Sequence, residues 1–306
     1  MNIRPFCNAD LPKLLDRWIQ HWATFGPPPF LNMAKFEQAV VARRFFRAEQ
    51  LLVAEADDNI VGWVWTAPSV VEPSTTRVSA LCFCPESTEV GVALMQAAES
   101  LCREGGNTSL KVGALRDHLY GFAGLDPVGH GFGVSSADRT TIDVLQQMGY
   151  TPDRDVVQLT ASATEYRVPV SREAMQFRRT THTESAAFNF SNEREAAAMS
   201  HFDVEVVRLL NQTGQTLASI RFWYSDPEAE VMEPGNAIID LNDTQRRDGL
   251  SAPELYLVGS VVSGMERRRV MTVETVVDQG ATELMNQLAS LRFEKTTSGS
   301  EWGKAL

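Results

Sequence analysis

The sequence predicts an α/β protein of two similar domains, each a mixed sheet flanked by helices. Three observations carry this reading. Residues 77–115 run as strand, turn, helix, turn, strand. The apolar patterns of the first half follow the order β-α-α-β-β-β-α-β, and the second half repeats that order in weaker form. At 306 residues the chain has room for two domains, on a prior of about 150 residues each, and each half can bury its own core. The expected division is 1–160, a linker at 161–176 without apolar periodicity, and 177–306.

NIRPF opens as a strand. Asn8 or Asp10 can cap a helix through about His21, with Leu11, Leu14, Leu15, Trp18 and Trp22 on its apolar side. FGPPPF breaks it, and Asn32 can cap a second helix, MAKFEQAVVARRFF. QLLVAEA and IVGWVWTA are strands joined by a hairpin turn at Asp57-Asp58-Asn59. The strand RVSALCFC ends at Pro85, which cannot extend a central strand. VALMQAAESLC has helical spacing and stops at Gly105-Gly106, and SLKVGAL is the next strand. A Gly-rich piece, LYGFAGLDPVGHGFG, precedes a helix capped by Ser136 or Asp138, and DVVQLT is a last strand. The piece is expected over the acceptor side of a cleft, or packed as a surface loop. In the second half FRRTT, VEVVRLLN, TLASIRFWYS, NAIIDLND and MTVETVV read as strands. ELYLVGSVV is β-branched and contains Gly259, so it is either helix or strand.

Net charge is −11, which disfavours nucleic acid or an anionic membrane surface as partner and favours neutral or cationic substrates. Cys7, Cys82, Cys84 and Cys102 are the only cysteines. Cys82 and Cys84 share a strand face with no His pair nearby, so buried free thiols are expected and no metal. The N-terminus lacks an apolar signal core, and no run reaches the roughly 18 apolar residues of a membrane span. A cytoplasmic, reducing setting is expected.

A strand followed directly by a helix leaves backbone N–H groups unpaired at the helix start, where anions and above all phosphate bind. Gly91 and Ala93 are small, so backbone could approach a pyrophosphate there. Thr88-Glu89-Val90-Gly91-Val92-Ala93 resembles the R/Q-x-x-G-x-G/A acyl-CoA motif of GNAT N-acetyltransferases at both small positions. It departs at the first, where Thr88 replaces the basic or amide residue, and Glu89 adds a charge that phosphate dislikes. The order of elements over 1–160 and the ending Gly149-Tyr150 also resemble that family. In the second half Arg246-Arg247-Asp248-Gly249-Leu250-Ser251 fits the motif, with Ser251 last, and Arg292 stands where the family ending has Gly. The chain therefore resembles a tandem GNAT protein with a degenerate second copy.

The resemblance implies direct transfer of an acetyl group from acetyl-CoA, as co-substrate, to the amine of a small molecule or peptide, without a metal. It implies that 82–84 (Cys82, Phe83, Cys84) hold the pantetheine arm through main chain, that 88–93 hold the pyrophosphate, and that Arg246, Gly249 and Ser251 form a weaker second site. The usual tyrosine acid of the family falls at Leu145 and at Leu288. Tyr120 is then the candidate acid for the leaving thiolate, or a packed aromatic. Glu55 and Asp117 are candidate bases, or solvated carboxylates. The rival expectations are a non-catalytic CoA-binding or structural protein, which includes a homodimer, and a transferase of another acyl group.

Overall fold

A computed structural model of the protein describes residues 1–69, 71–116, 122–190, 193–226, 228–241 and 249–306. The chain forms two compact units, Met1–Asp155 with Ser298–Leu306, and Val156–Thr297.

Unit 1 contains β1 (Asn2–Pro5), α1 (Leu11–Trp22), α2 (Met33–Phe36), β2 (Leu51–Ala56), β3 (Asn59–Pro68), β4 (Thr75–Phe83), α3 (Thr88–Glu104), β5 (Ser109–Val112), β6 (Val134–Ser135), α4 (Arg139–Gln147) and the start of β7 (Thr151–Ser162). The apolar stripe of α1 is buried as its spacing predicts. Asp57 and Asp58 both have positive φ, 50° and 61°, the backbone that a two-residue hairpin turn requires. The second helix is shorter than predicted: α2 passes at Glu37 into a wider turn that ends at Val41. The helix predicted from residue 92 begins earlier, at Thr88, so the motif residues 88–93 lie inside its first turns.

In the unit 1 sheet β1, β2, β3 and β4 pair antiparallel in that order. β4 and β5 pair in parallel from Thr75↔Ser109 to Val78↔Val112. The far edge of β5 is closed by the last strand of the sequence, antiparallel from Val112↔Trp302 to Ser109↔Ala305. Charges hold it there. The buried Arg77 guanidinium binds the buried Glu301 carboxylate and also Glu72 at 2.7 Å. Lys111, the register partner of Arg77, reaches Glu72 and Asp153 at 2.8 Å and Glu301 at 3.3 Å. Burial works against the Lys111 ammonium, but Asp153 and Glu72 outweigh it and hold its pKa above the ordinary value. A second tie joins Lys304 to buried Glu99 of α3 at 2.6 Å, and Tyr150 donates to the same carboxylate at 3.1 Å.

Unit 2 starts within β7 and adds α5 (Arg172–Thr180), β8 (Thr181–Ala187), α6 (Glu193–Ala198), β9 (Phe202–Asn211), β10 (Thr216–Ser225), β11 (Asn236–Asp240), α7 (Ala252–Met265), β12 (Thr272–Asp278), α8 (Thr282–Ser290) and the start of β13 (Glu294–Ala305). Its sheet order is β8-β9-β10-β11-β12-β7. Only β11 and β12 are parallel among these pairs. FRRTT, predicted as a strand, is mostly the end of α5, which Ser171 caps through the Ala174 N–H at 3.0 Å. ELYLVGSVV is helix. A capping box between Ser251 and Glu254 starts it, and Leu257, Val258, Val262 and Met265 pack into the unit 2 core. Gly259 lets Leu291 and Val168 approach, since a Cβ there would stand 3.2 Å from each.

These boundaries correct the predicted division. The sixth strand position of the unit 1 sheet is filled by residues of β13, and that of unit 2 by residues 156–162 of β7. The predicted second domain, 177–306, thus gives its end to unit 1, and the predicted linker contains the end of β7 and the start of α5. The two halves end alike all the same. Tyr150 N–H reaches Leu145 C=O at 2.9 Å past Gly149 (φ 79°). Phe293 N–H reaches Leu288 C=O at 3.0 Å past Arg292 (φ 64°). Both are left-handed helix endings, and glycine suits them best.

Glu301→Ala leaves the buried Arg77 without its main partner and should destabilise unit 1 by about 3 kcal/mol or more, read as a lower urea midpoint. An unchanged midpoint would show that the C-terminal strand is held by its backbone bonds alone. Arg292→Gly removes a side chain from a left-handed backbone and should raise stability by about 1 kcal/mol; a lower melting temperature would contradict the strain assigned to Arg292.

Candidate active site

In unit 1 the strands β4 and β5 part company. Their last tie is the Gly113 N–H to Val78 C=O bond at 2.9 Å, made with Gly113 at φ 106°. β4 continues to Phe83 without β5 beside it, and a small cleft opens there. Ser79, Ala80 and Leu81 form one wall, and Val112 and Gly113 another. Trp22 of α1 and Asp138 and Thr141 at the start of α4 also face it. Val128 and Gly133 of the Gly-rich piece, and Val134 just after it, close its side. That piece is packed backbone against backbone: a Cβ on Gly133 would lie 2.5 Å from the Ser300 oxygen. It therefore forms a wall of the cleft, where the sequence leaves open a cover over its acceptor side or a surface loop.

The end of β4 is already engaged. His21 is fully buried; its Nδ1 lies 3.0 Å from Phe83 C=O and its Nε2 3.2 Å from the Asp138 carboxylate. Along an antiparallel strand successive residues turn their N–H and C=O to opposite edges. Phe83 therefore faces away from β3, towards His21, and Cys82 faces β3. Of the predicted main-chain contacts 82–84, Cys82 is turned into the sheet, Phe83 meets a side chain of its own chain, and Cys84 lies beyond the strand. Leu81, two residues before Phe83, presents the free edge of β4 to the cleft. The sequence points to this strand at 82–84, but which of its residues faces the open edge depends on the register with β3 and is not legible from the sequence.

The helix start expected to hold phosphate is open. Ser87 occupies the cap position of α3 without a side-chain hydrogen bond. Val90 N–H closes on Ser87 C=O at 3.0 Å, and the first-turn amides of a helix otherwise lack intrahelical acceptors. Thr88 and Glu89 are exposed, Val92 and Ala93 half-buried, Val90 and Gly91 buried. The smallness of Gly91 has a different cause from the one expected. A Cβ there would stand 2.8 and 2.9 Å from ring atoms of Phe83, so Gly91 serves the packing of α3 on β4. In unit 2 the matching helix start is closed by the chain itself. The Glu254 carboxylate accepts from Ser251 N–H at 2.9 Å and from the Ser251 hydroxyl at 2.8 Å. Gly249, at φ 102°, lies under Gln287, which bonds Leu250 N–H at 2.6 Å and Leu250 C=O at 3.0 Å.

Tyr120, Asp117 and Arg246 lie outside the described residues. Glu55 is described and does not face the cleft; it holds Arg4 at 2.9 Å across β1 and β2. Leu145 and Leu288 are buried apolar side chains. Asp138 and Thr141 line the cleft and are not among the site candidates that the sequence singles out. Asp138 was legible only as a helix cap, and it does cap α4 through Thr141 N–H at 2.9 Å. No group of metal-ligating side chains, and no helix long and apolar enough to cross a membrane, is present among the described residues.

No protein-family profile matches the sequence, and no curated protein matches it. Solved structures do match its fold. A tandem GNAT protein from the clavulanic acid biosynthesis pathway superposes with TM-score 0.65 at 15% identity, over 99% of this chain and 98% of that one. A GCN5-related N-acetyltransferase from Sphaerobacter thermophilus gives TM-score 0.67 at 12% identity, over 99% and 95%. A GCN5-related glucosamine N-acetyltransferase region of a fungal multi-domain β-N-acetylglucosaminidase gives 0.69 at 16%, over 99% of this chain and 38% of that one.

Gly91→Ala places a methyl against the Phe83 ring and should cost about 1–3 kcal/mol of stability. Phe83→Leu in the same background should recover part of it. Equal unfolding midpoints for Gly91→Ala and wild type would remove the packing role assigned to Gly91.

Proposed function

We infer the function from the fold, which the chain shares with a tandem GNAT protein and with a GCN5-related N-acetyltransferase. We propose that the chain is an acetyl-CoA-dependent N-acetyltransferase whose donor binds in unit 1 and whose acceptor is the amine of a small molecule or peptide. The observation that carries this is the opening of β4 from β5 in the same unit as the uncapped start of α3. The parted strand offers main-chain groups at Leu81 to an extended amide-bearing arm, and the helix start offers amides to a pyrophosphate. Acetyl-CoA supplies the activated acyl group. The amine nitrogen bonds to the thioester carbon, the C–S bond breaks with its electron pair left on sulfur, and the proton released by the amine ends on that sulfur. Tyr120 and Asp117 follow the β5 wall in sequence and are assigned the acid and the base. Glu55 is given neither role, because Arg4 holds its carboxylate. The closed start of α7 argues for one donor site per chain. The four unpaired cysteines fit a reducing compartment.

Binding of CoA without transfer is the second reading. It is favoured by Leu145 and Leu288, which put hydrocarbon where the family has its tyrosine hydroxyl.

Calorimetric titration with acetyl-CoA should give one site per chain. Thr88→Asp adds a carboxylate at the start of α3, where the helix dipole favours it, so stability should hold while affinity falls by about tenfold or more. Unchanged affinity in that variant would remove the pyrophosphate from this helix start. A stoichiometry of two would reject the single site, and acetyl-CoA binding without acetylation of any amine in a mixed panel would favour the second reading.

A further inference from the structure

The cleft between β4 and β5 contains a polar group that nothing in the fold requires. Thr141 is only 3% exposed, and its hydroxyl has no hydrogen-bond partner. A threonine on a helix can turn its hydroxyl to the carbonyl one turn back, and this one does not. Its backbone N–H is taken by Asp138 Oδ1 at 2.9 Å. Asp138 Oδ2 in turn faces His21 at 3.2 Å. Both carboxylate oxygens are thus engaged, and they fix the turn that carries Thr141. A buried hydroxyl left unpaired is destabilising, and such groups are few in folded proteins. Thr141 lines the cleft together with Leu81 and Asp138.

We propose that the Thr141 hydroxyl donates a hydrogen bond to the acyl carbonyl oxygen of a thioester bound in this cleft; this rests on the acyl-transfer reading above. The free edge of Leu81 and the hydroxyl of Thr141 bring two donors to one cleft. A carbonyl oxygen has two lone pairs and can accept from both, whereas a thioether-like sulfur is a weak acceptor. The bond strengthens as the attacking amine pushes negative charge onto that oxygen. Thr141 keeps its proton throughout. The new bond is nitrogen to carbonyl carbon, the broken bond is carbon to sulfur, and the amine proton passes to sulfur by another route. Thr141 lies four residues before Leu145 on α4, so the helix that lacks the family hydroxyl at one position carries an unpaired one a turn earlier.

The test uses the full chain with Thr141→Val, which keeps the shape, and Thr141→Ser, which keeps the hydroxyl. Calorimetry with acetyl-CoA and with CoA, which has no acyl oxygen, separates the roles. Thr141→Val should lower affinity for acetyl-CoA by roughly tenfold, the weight of one hydrogen bond, and leave CoA affinity unchanged. Thr141→Ser should stay close to wild type. Without ligand, Thr141→Val should melt no lower than wild type. If valine fails to fold, Thr141→Ala makes the same comparison. An unchanged ratio of the two affinities overturns the proposal, and so does an equal loss of both, which marks a structural role. Wild-type protein that binds neither compound overturns the acyl-transfer reading and this one together, whereas normal wild-type binding with an unaffected Thr141→Val overturns only the role of Thr141.

Discussion

A buried guanidinium joins the ends of unit 1. Arg77 on β4 meets Glu301, 224 residues away in sequence, and the two are almost fully shielded from water. Two charges taken out of water are tolerable only as a pair with further hydrogen bonds, and Glu72 and Lys111 supply them. The pair also has a geometric effect. It draws β13 onto the far edge of β5 at the level where β4 and β5 are still bonded. Past that level, β4 and β5 separate. The cleft is the consequence: a sheet clamped at one end by charge and parted at the other by Gly113 and the wall that follows it.

Much of this was legible in the sequence, because the elements involved are local. The stripe of α1, the Asp57-Asp58 turn and the Asp138 cap each follow from a few neighbouring residues. So does the unit around 77–115, although α3 begins four residues before its periodic apolar positions do. Other features were not legible for physical reasons. TTSGSEWGKA has no apolar periodicity that names a partner, so nothing local says that β13 pairs with β5. The β-branched run in α7 favours a strand by propensity, but the capping box and the unit 2 core outweigh that preference. Gly91 illustrates a shared signal: a small residue at a helix start reads the same whether a phosphate or a phenyl ring demands the space. The contact of His21 with Phe83 was not legible, since His21 sits between Trp18 and Trp22 on an ordinary amphipathic helix.

The matching helix starts of the two units differ in what they offer. At α3 the cap side chain makes no bond, so the first-turn amides face outward. At α7 Glu254 folds back over Ser251 and brings its own negative charge to the same place. An anion arriving at α7 meets a carboxylate, and one arriving at α3 meets backbone N–H groups with Glu89 exposed beside them. The two helix starts therefore differ in electrostatics as well as in sequence.

The crossing of β7 and β13 also governs the order in which the protein can be made. During synthesis, every residue of unit 2 up to 297 leaves the ribosome before the strand that completes unit 1. The sheet of unit 1 therefore waits with one edge of β5 bare, a state that invites pairing with other chains. Neither half can be copied, lost or transplanted by a single cut in the gene without leaving a sheet one strand short.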